Sequence, residues 1–383
     1  MSSDKCDGFV AIHAGAGYHS EDKNKNYELL CKMTCKSAMR MLNAEHTAVD
    51  VVTHAVSLLE DSPLTNAGVG SNLTECGNVE CDASVMDGIT LNYGAVGAIS
   101  GFTNPVQIAQ KLLLEQNKGL LSLGRIPPCF LVAEGAKQWA IKHGFMYVQP
   151  EVLQSESAHN AFKKYKRKLE EYEEYKKYKF KSDKMNEGNY VREEKLDTVG
   201  AICIDGKGNI ASAVSSGGIA LKHSGRIGQA AMYGCGCWAQ NSTSPEQPAV
   251  AVATSGGGEY LIKTLFAREC ANYVTNSDNT VTAVQEVFNE KFMNSPFLPN
   301  SIQKLAGVIV LKYIPSNSHC ELVWAHSTRS MCIGYFSSFS KQPKVTISRL
   351  RDSSPSKQQT VIEATSIVMK MPSSSDKMLN VQC

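Results

Sequence analysis

Asp197-Thr198-Val199-Gly200-Ala201-Ile202-Cys203-Ile204 runs through the turn Gly206-Lys207-Gly208-Asn209 into Ile210-Ala211-Ser212-Ala213-Val214-Ser215-Ser216. Two short runs of β-branched and small apolar residues around a glycine-containing turn spell a β-hairpin. Its first strand starts directly after a charged stretch, so Asp197-Thr198 marks a junction between polar insertion and buried strand. That position gives Thr198 a chemical option. A threonine hydroxyl needs an adjacent base, and the amino group of the same residue can serve once a chain cut makes it a terminus. A terminal amine titrates near roughly 7.7 to 8.0, so it can take the hydroxyl proton and later hand it to a leaving amine. On these four residues alone an ordinary strand start remains the commoner reading.

The other elements fit a chain of mixed class. Phe9 to His13 is a strand candidate leading into Ala14-Gly15-Ala16-Gly17, a composition that allows close backbone approach. Val51, Val52, Ala55, Val56, Leu58 and Leu59 recur at helical spacing. Val79 to Val85 alternates as a half-buried strand does, and Asn104-Pro105 opens a helix through Leu114. Further strands are expected over 249–255, 306–313, 321–326 and 345–350, with one helix from Glu259 to about Tyr273. Both halves mix strands and helices without a clean linker, which predicts a single α+β domain. The stretch from about residue 353 is expected to be loose.

With 383 residues, 43% hydrophobic and 20% charged, the chain suits a soluble enzyme with a filled core. The 39 basic and 37 acidic residues leave a net charge of +2, so no global field points to nucleic acid or a membrane. The polar start, Met1 to Asp7, lacks a secretory pattern, and an intracellular protein is expected. The uncharged stretch 88–110 is broken by Asn, Gln, Gly and Pro, so it reads as buried strand, turn and helix start. Most of the thirteen cysteines in such a chain read as buried thiols. Cys235-Gly-Cys237 and the pair Cys31/Cys35 lack a second pair at zinc spacing, so no metal is expected. The sequons at Asn72 and Asn241 read as chance matches.

Several separated segments together resemble the asparaginase family of N-terminal nucleophile hydrolases. They are Phe9-Val-Ala-Ile-His-Ala-Gly-Ala-Gly17, Asn66-Ala-Gly-Val-Gly-Ser71, Glu80-Cys-Asp-Ala-Ser-Val-Met-Asp-Gly88, Asp197-Thr-Val-Gly200, Ser215-Ser-Gly-Gly218, Gly225-Arg-Ile-Gly228 and Ser255-Gly-Gly-Gly-Glu259. The resemblance runs from about residue 9 to 335 and leaves out most of the insertion. It implies a four-layer αββα sandwich cut between Asp197 and Thr198 into an α-part, 1–197, and a β-part, 198–383. It makes Thr198 the nucleophile, Ser216 the hydroxyl beside it, and Ser255 with Gly256 the oxyanion donors, each donor worth on the order of 3 kcal/mol. The Ser255 turn also reads as a strand-to-helix connection. Asn66 either completes the site or fixes the Ala67-Gly68 turn. His13 is read as a strand residue, since the amine already supplies the base. No cofactor is implied.

Arg226 matches the family's carboxylate-binding arginine, whose rigid fork suits an aspartyl-type carboxylate. Three residues on, asparaginases carry an aspartate that pairs with a substrate ammonium, and here the residue is Gln229. Losing that anion disfavours a free amino acid, whereas a neutral amide can bond to a peptide backbone. With Asp197 before the nucleophile, the insertion and Cys235-Gly-Cys-Trp238, these departures resemble the family's threonine-aspartase branch, endopeptidases that cut after aspartate. The implied substrates are nuclear transcription regulators, such as precursors of histone methyltransferases and of transcription factor IIA. A homodimer of αβ units is implied as well. The rival readings are an asparaginase or isoaspartyl peptidase, and a catalytically silent scaffold.

The insertion, about 151–194, is rich in Lys, Glu and Tyr. Lys163-Lys-Tyr-Lys-Arg-Lys168 and Lys176-Lys-Tyr-Lys-Phe-Lys181 suit an importin-type nuclear address, which predicts a protein of nucleus and cytoplasm. A solvated helix laced by pairs such as Glu173 with Lys177 is the other reading.

Overall fold

The structure is a computed structural model and describes residues 8–178, 197–300, 303–350 and 359–369. In the first half, strands β1 (Phe9–Gly17), β2 (Cys81–Asp87), β3 (Tyr93–Ile99) and β4 (Phe130–Val132) alternate with helices. The helices are α1 (Asn24–Asn43), α2 (Ala48–Glu60), α3 (Pro105–Gln116), α4 (Ala133–Lys142) and α5 (Glu156–Tyr178). The second half opens on the hairpin β5 (Val199–Ile204) and β6 (Ile210–Ser216), followed by β7 (Cys237–Gln240) and β8 (Ala249–Gly256). Helices α6 (Gly258–Lys263), α7 (Phe266–Thr275) and α8 (Thr280–Val287) come next. Strands β9 (Ala306–Ile314), β10 (His319–His326), β11 (Ser330–Ser337), β12 (Lys344–Arg349) and β13 (Val361–Val368) complete the order.

Eight strands form one sheet in the order β12-β11-β1-β5-β6-β2-β3-β4, and five form a second in the order β13-β10-β9-β8-β7. All pairs are antiparallel except β3 with β4. Strand alternation sorts the side chains into two cores. Phe9, Ala11, Ile202, Ile204 and Val214 face β8 and β9 between the sheets. Val10, Ile12, Val199, Ala201 and Ala213 face the outer helices α1, α2 and α3. On the far side, α7 and α8 cover the small sheet, with Phe266 against Phe288 and Phe292 at ring-centroid distances of 5.0 and 5.1 Å. The result is the four-layer αββα sandwich.

The helix starts follow local chemistry. Thr47 accepts a hydrogen bond from Asp50 N at 3.2 Å at the head of α2, Asn279 accepts from Thr282 N at 2.9 Å at the head of α8, and Pro105 opens α3. The structure corrects several boundaries. β1 continues through the glycine run to Gly17, absorbing it with a register shift between His13 and Ala16. The helix expected over 259–273 is two helices, broken at Leu265, whose backbone is left-handed. The tail expected to be loose contains β13, paired along β10 from Val361 to Val368. Within the insertion, Glu156–Tyr178 is one helix, anchored through Phe162 and bearing exposed pairs Arg167–Glu171 and Glu173–Lys176. The Lys177 side chain, and with it the expected Glu173–Lys177 pairing, lies outside the described residues, as does the stretch 179–194 with Lys179 to Lys181.

Candidate active site

Strand pairing builds the site. In the β5–β6 hairpin Val199 faces Ser215, which leaves Thr198 opposite Ser216 at the same end of the two strands. Thr198 is 2% exposed, and its hydroxyl donates to Ser216 Oγ at 3.1 Å. Gln229 Nε2 donates to Thr198 Oγ1 at 2.9 Å. These two bonds orient the hydroxyl, with its proton toward Ser216, one lone pair on Gln229 and one lone pair left for attack. Ser216 Oγ also accepts from Gly218 N at 3.1 Å, which ties the Thr198–Ser216 pair to the following loop.

Asp197 is buried as well, packed under β1. A Cβ at Gly15 would stand 2.5 Å from Asp197 Cβ, and Gly15 holds φ at +108°, so glycine is required there on both counts. The neighbouring Ala16 N donates to Ser255 Oγ at 2.9 Å, joining the glycine run to the end of β8. Gly256, at φ +136°, lies so close to Leu305 that a Cβ would meet its carbonyl oxygen at 2.5 Å. Asn66 Nδ2 donates to Gly218 O at 2.7 Å and its Oδ1 accepts from Asn72 N at 2.9 Å, so its side chain fixes the turn after Ser216.

His13 sits opposite Gly200 on the inter-sheet face, where only glycine leaves room for the ring. It is fully buried, and burial drives its pKa down to about 3 although the nearby Thr198 carbonyl partly offsets this. Neither ring nitrogen has a well-formed hydrogen bond. Glu60, also buried, has its carboxyl pushed up to about 8 by desolvation, against the bond it accepts from Val106 N at 3.1 Å.

Arg226 and Gln229 ride on the loop that follows Ser216. Glu80 accepts from Gly225 N at 2.8 Å, and the buried Lys222 donates to Glu80 O at 2.6 Å. Asp82 Oδ2 accepts from Gly228 N at 2.8 Å. Burial raises the Asp82 carboxyl, while Lys222, backbone donors and Arg226 favour its charge. Arg226 itself is clamped by Glu259, with Nε to Oε1 at 2.7 Å and Nη2 to Oε2 at 2.6 Å.

Thr198, Ser216 and Gln229 are therefore joined directly, while Ser255 and Asn66 join through Ala16 and Gly218. Reading the sequence placed Gln229 toward a substrate, and the structure puts its amide on the Thr198 hydroxyl. It missed the Glu259 clamp, the Asp82 anchor and the Gly15 contact with Asp197. The clamp is foreshadowed only by a lone Glu closing the Ser255 turn. Among the described residues no three His, Cys, Asp or Glu converge as a metal site; Cys31 instead meets Cys332 at 3.6 Å. Nor is any helix among them long and apolar enough to cross a membrane.

Comparison with known proteins places this geometry in a family. The family model described as asparaginase matches residues 7–346. The isoaspartyl peptidase of Escherichia coli is 36% identical over 68% of this chain and 75% of its own length. The isoaspartyl peptidase/L-asparaginase of Homo sapiens is 33% identical over 79% of this chain and 86% of its own. That of Danio rerio is 35% identical over 68% and 73%. The match covers Thr198, both glycine-rich turns and nearly every strand, and the chain belongs to the asparaginase family of N-terminal nucleophile hydrolases.

Proposed function

We propose that the chain cuts itself between Asp197 and Thr198 and that the freed Thr198 then hydrolyses peptide bonds after aspartate in protein substrates. The observation that carries this reading is the buried junction whose hydroxyl is oriented between Ser216 and Gln229. In the first round Thr198 Oγ attacks the Asp197 carbonyl carbon. The carbon–nitrogen bond breaks, the nitrogen takes the hydroxyl proton, and Asp197 becomes an ester on Oγ. Water hydrolyses the ester, leaving a carboxylate at Asp197 and a free amine on Thr198.

In the second round that amine takes the Oγ proton while Oγ attacks the main-chain carbonyl carbon of the substrate's aspartate. Ser255 and Gly256 face the oxyanion, and Arg226 holds the aspartate carboxylate. The amine hands its proton to the leaving nitrogen, and water then releases the acyl group. Specificity for a peptide rests on Gln229: a neutral amide offers a free α-ammonium no counter-charge.

A second reading, an isoaspartyl peptidase or asparaginase acting on small substrates, is favoured by the names of the relatives. It requires Gln229 to accept an ammonium. Ammonia release from free asparagine, measured beside cleavage of an aspartyl peptide, separates the two.

Nuclear transcription regulators are the proposed substrates, and the basic helix of the insertion, exposed at Lys163 and Lys164, suits an importin. A reporter fused to residues 160–184 is expected to accumulate in nuclei; an even spread argues against the address. Assembly into a homodimer of αβ units is supported by exposed apolar side chains around the β4 edge, including Leu120, Leu123, Ile126 and Met146.

The decisive test is intact-mass analysis of the purified chain with its Thr198→Ala and Thr198→Val variants. A fragment from Thr198 to Cys383 in the wild type alone supports the first round. A folded wild type that stays whole removes it and promotes the silent-scaffold reading.

A further inference from the structure

Arg226 has five N–H donors in a flat fork, and two of them are already engaged. Glu259 takes the side edge, made by Nε and the nearer Nη2 hydrogen, with both carboxylate oxygens. The adjoining end-on edge, made by Nη1 and the outer Nη2 hydrogen, has glycines close to both nitrogens. A Cβ at Gly218 would stand 2.9 Å from Nη1, one at Gly228 3.0 Å from Nη1, and one at Gly258 2.8 Å from Nη2. A Cβ at Gly258 would also stand 2.9 Å from Gln229 Oε1. The same loops reach the nucleophile, since Gly218 N bonds to Ser216 Oγ and Gln229 bonds to Thr198 Oγ1.

We infer that Glu259 is a positioning residue for substrate selection: it holds the side edge of Arg226 so that the end-on edge stays aimed, between Gly218, Gly228 and Gly258, at the carboxylate of the cleaved aspartate. This rests on the reading of Arg226 as the carboxylate binder. The arrangement separates two carboxylates on one guanidinium by geometry, each able to make two parallel bonds. Glu259 is 51% exposed at its side chain while Arg226 is 14% exposed, so the carboxylate lies nearer solvent than the guanidinium it holds. Burial opposes the Glu259 charge, but the bonds and charge of Arg226 outweigh it and hold the carboxyl below its usual range. The clamp therefore persists at neutral pH. Without it, the long side chain of Arg226 regains rotamers that aim the fork elsewhere.

The test compares mature wild type with Glu259→Ala, Glu259→Gln and Arg226→Ala on paired peptides carrying Asp or Asn before the cleaved bond. Each protein is first checked by mass for a chain starting at Thr198. Glu259→Ala is expected to raise KM for the Asp peptide about tenfold, with kcat changed less than threefold, and to shrink the preference for Asp over Asn. Glu259→Gln keeps the size and one acceptor, so it should fall between, and it stands in if the alanine variant does not fold. An unchanged or lowered KM in Glu259 variants overturns the inference, a lowered one marking Glu259 as a competitor of substrate. If Arg226→Ala keeps the wild-type KM and preference, the carboxylate-binding reading itself fails and the role of Glu259 falls with it. A raised KM in Arg226→Ala beside an unchanged one in Glu259→Ala sinks the inference alone.

Discussion

Gln229 donates its side-chain amide to the hydroxyl of Thr198 at 2.9 Å while Thr198 is still an internal residue. The amide thus acts before any substrate arrives. Removing it leaves the hydroxyl bonded to Ser216 and freer to turn with χ1 of Thr198. Gln229→Ala is expected to slow self-cleavage roughly tenfold, the effect of losing about 1.4 kcal/mol of orientation. Gel densitometry of the two fragments over time measures it, and an unaltered rate would detach Gln229 from the first round.

Gln229→Asp addresses substrate class instead. A carboxylate there restores the counter-charge that a free α-ammonium needs. This variant is expected to release ammonia from free asparagine faster than the wild type while its cleavage of an aspartyl peptide declines. Coupled ammonia assay and peptide chromatography on the same preparation read both. A variant that stays inert toward asparagine means other walls of the pocket exclude the amino acid.

Gly15 sets the junction from the opposite side. Gly15→Ala places a methyl 2.5 Å from Asp197 Cβ and demands φ of +108° from an L side chain. Strain of about 1–3 kcal/mol is expected, along with displacement of the Asp197 carbonyl from the Thr198 hydroxyl. Self-cleavage should slow by more than tenfold, with a lower Tm. Wild-type processing in a variant with lowered Tm would show that the contact stabilises the fold alone.

How much of this was legible in the sequence follows from the range of the interactions. The β5–β6 hairpin is local, so its turn and alternation placed Thr198 and Ser216 within a residue or two of where they stand. Ser255, Asn66 and Arg226 came from resemblance, because nothing in their own neighbourhoods marks them. The clamp between Arg226 and Glu259 spans 33 positions, and the bond from Ala16 to Ser255 spans 239. Pairings of that reach depend on sheet order, which no local pattern encodes. The tail failed for a related reason: β13 is an edge strand that mixes Glu363, Thr365 and Ser366 among its apolar residues, too polar to stand out from a loop.

Buried titratable groups give the stability a definite pH profile. His13, held near 3, and His326, lowered to about 4 mainly by burial, stay neutral in the folded chain, whereas an unfolded histidine takes a proton below about 6.5. Their contribution is present above that value and declines as pH falls toward their folded pKa values, each by up to about 1.4 kcal/mol per unit. Glu60 works in the opposite direction. Its folded carboxyl stays protonated up to about 8, while the unfolded one ionises above about 4.5, so its contribution is lost as pH rises through that window. Between about 4.5 and 6.5 two histidines oppose one carboxyl and stability climbs with pH; above 6.5 Glu60 acts alone and it declines. The three groups together predict a maximum near pH 6.5. Glu60→Gln keeps the size of the side chain and cannot ionise, so it should flatten the alkaline limb and leave the acid limb in place. Urea unfolding of the uncut Thr198→Ala chain from pH 5 to 8 measures both limbs without interference from chain cutting, and an alkaline slope that survives Glu60→Gln would assign it to another group.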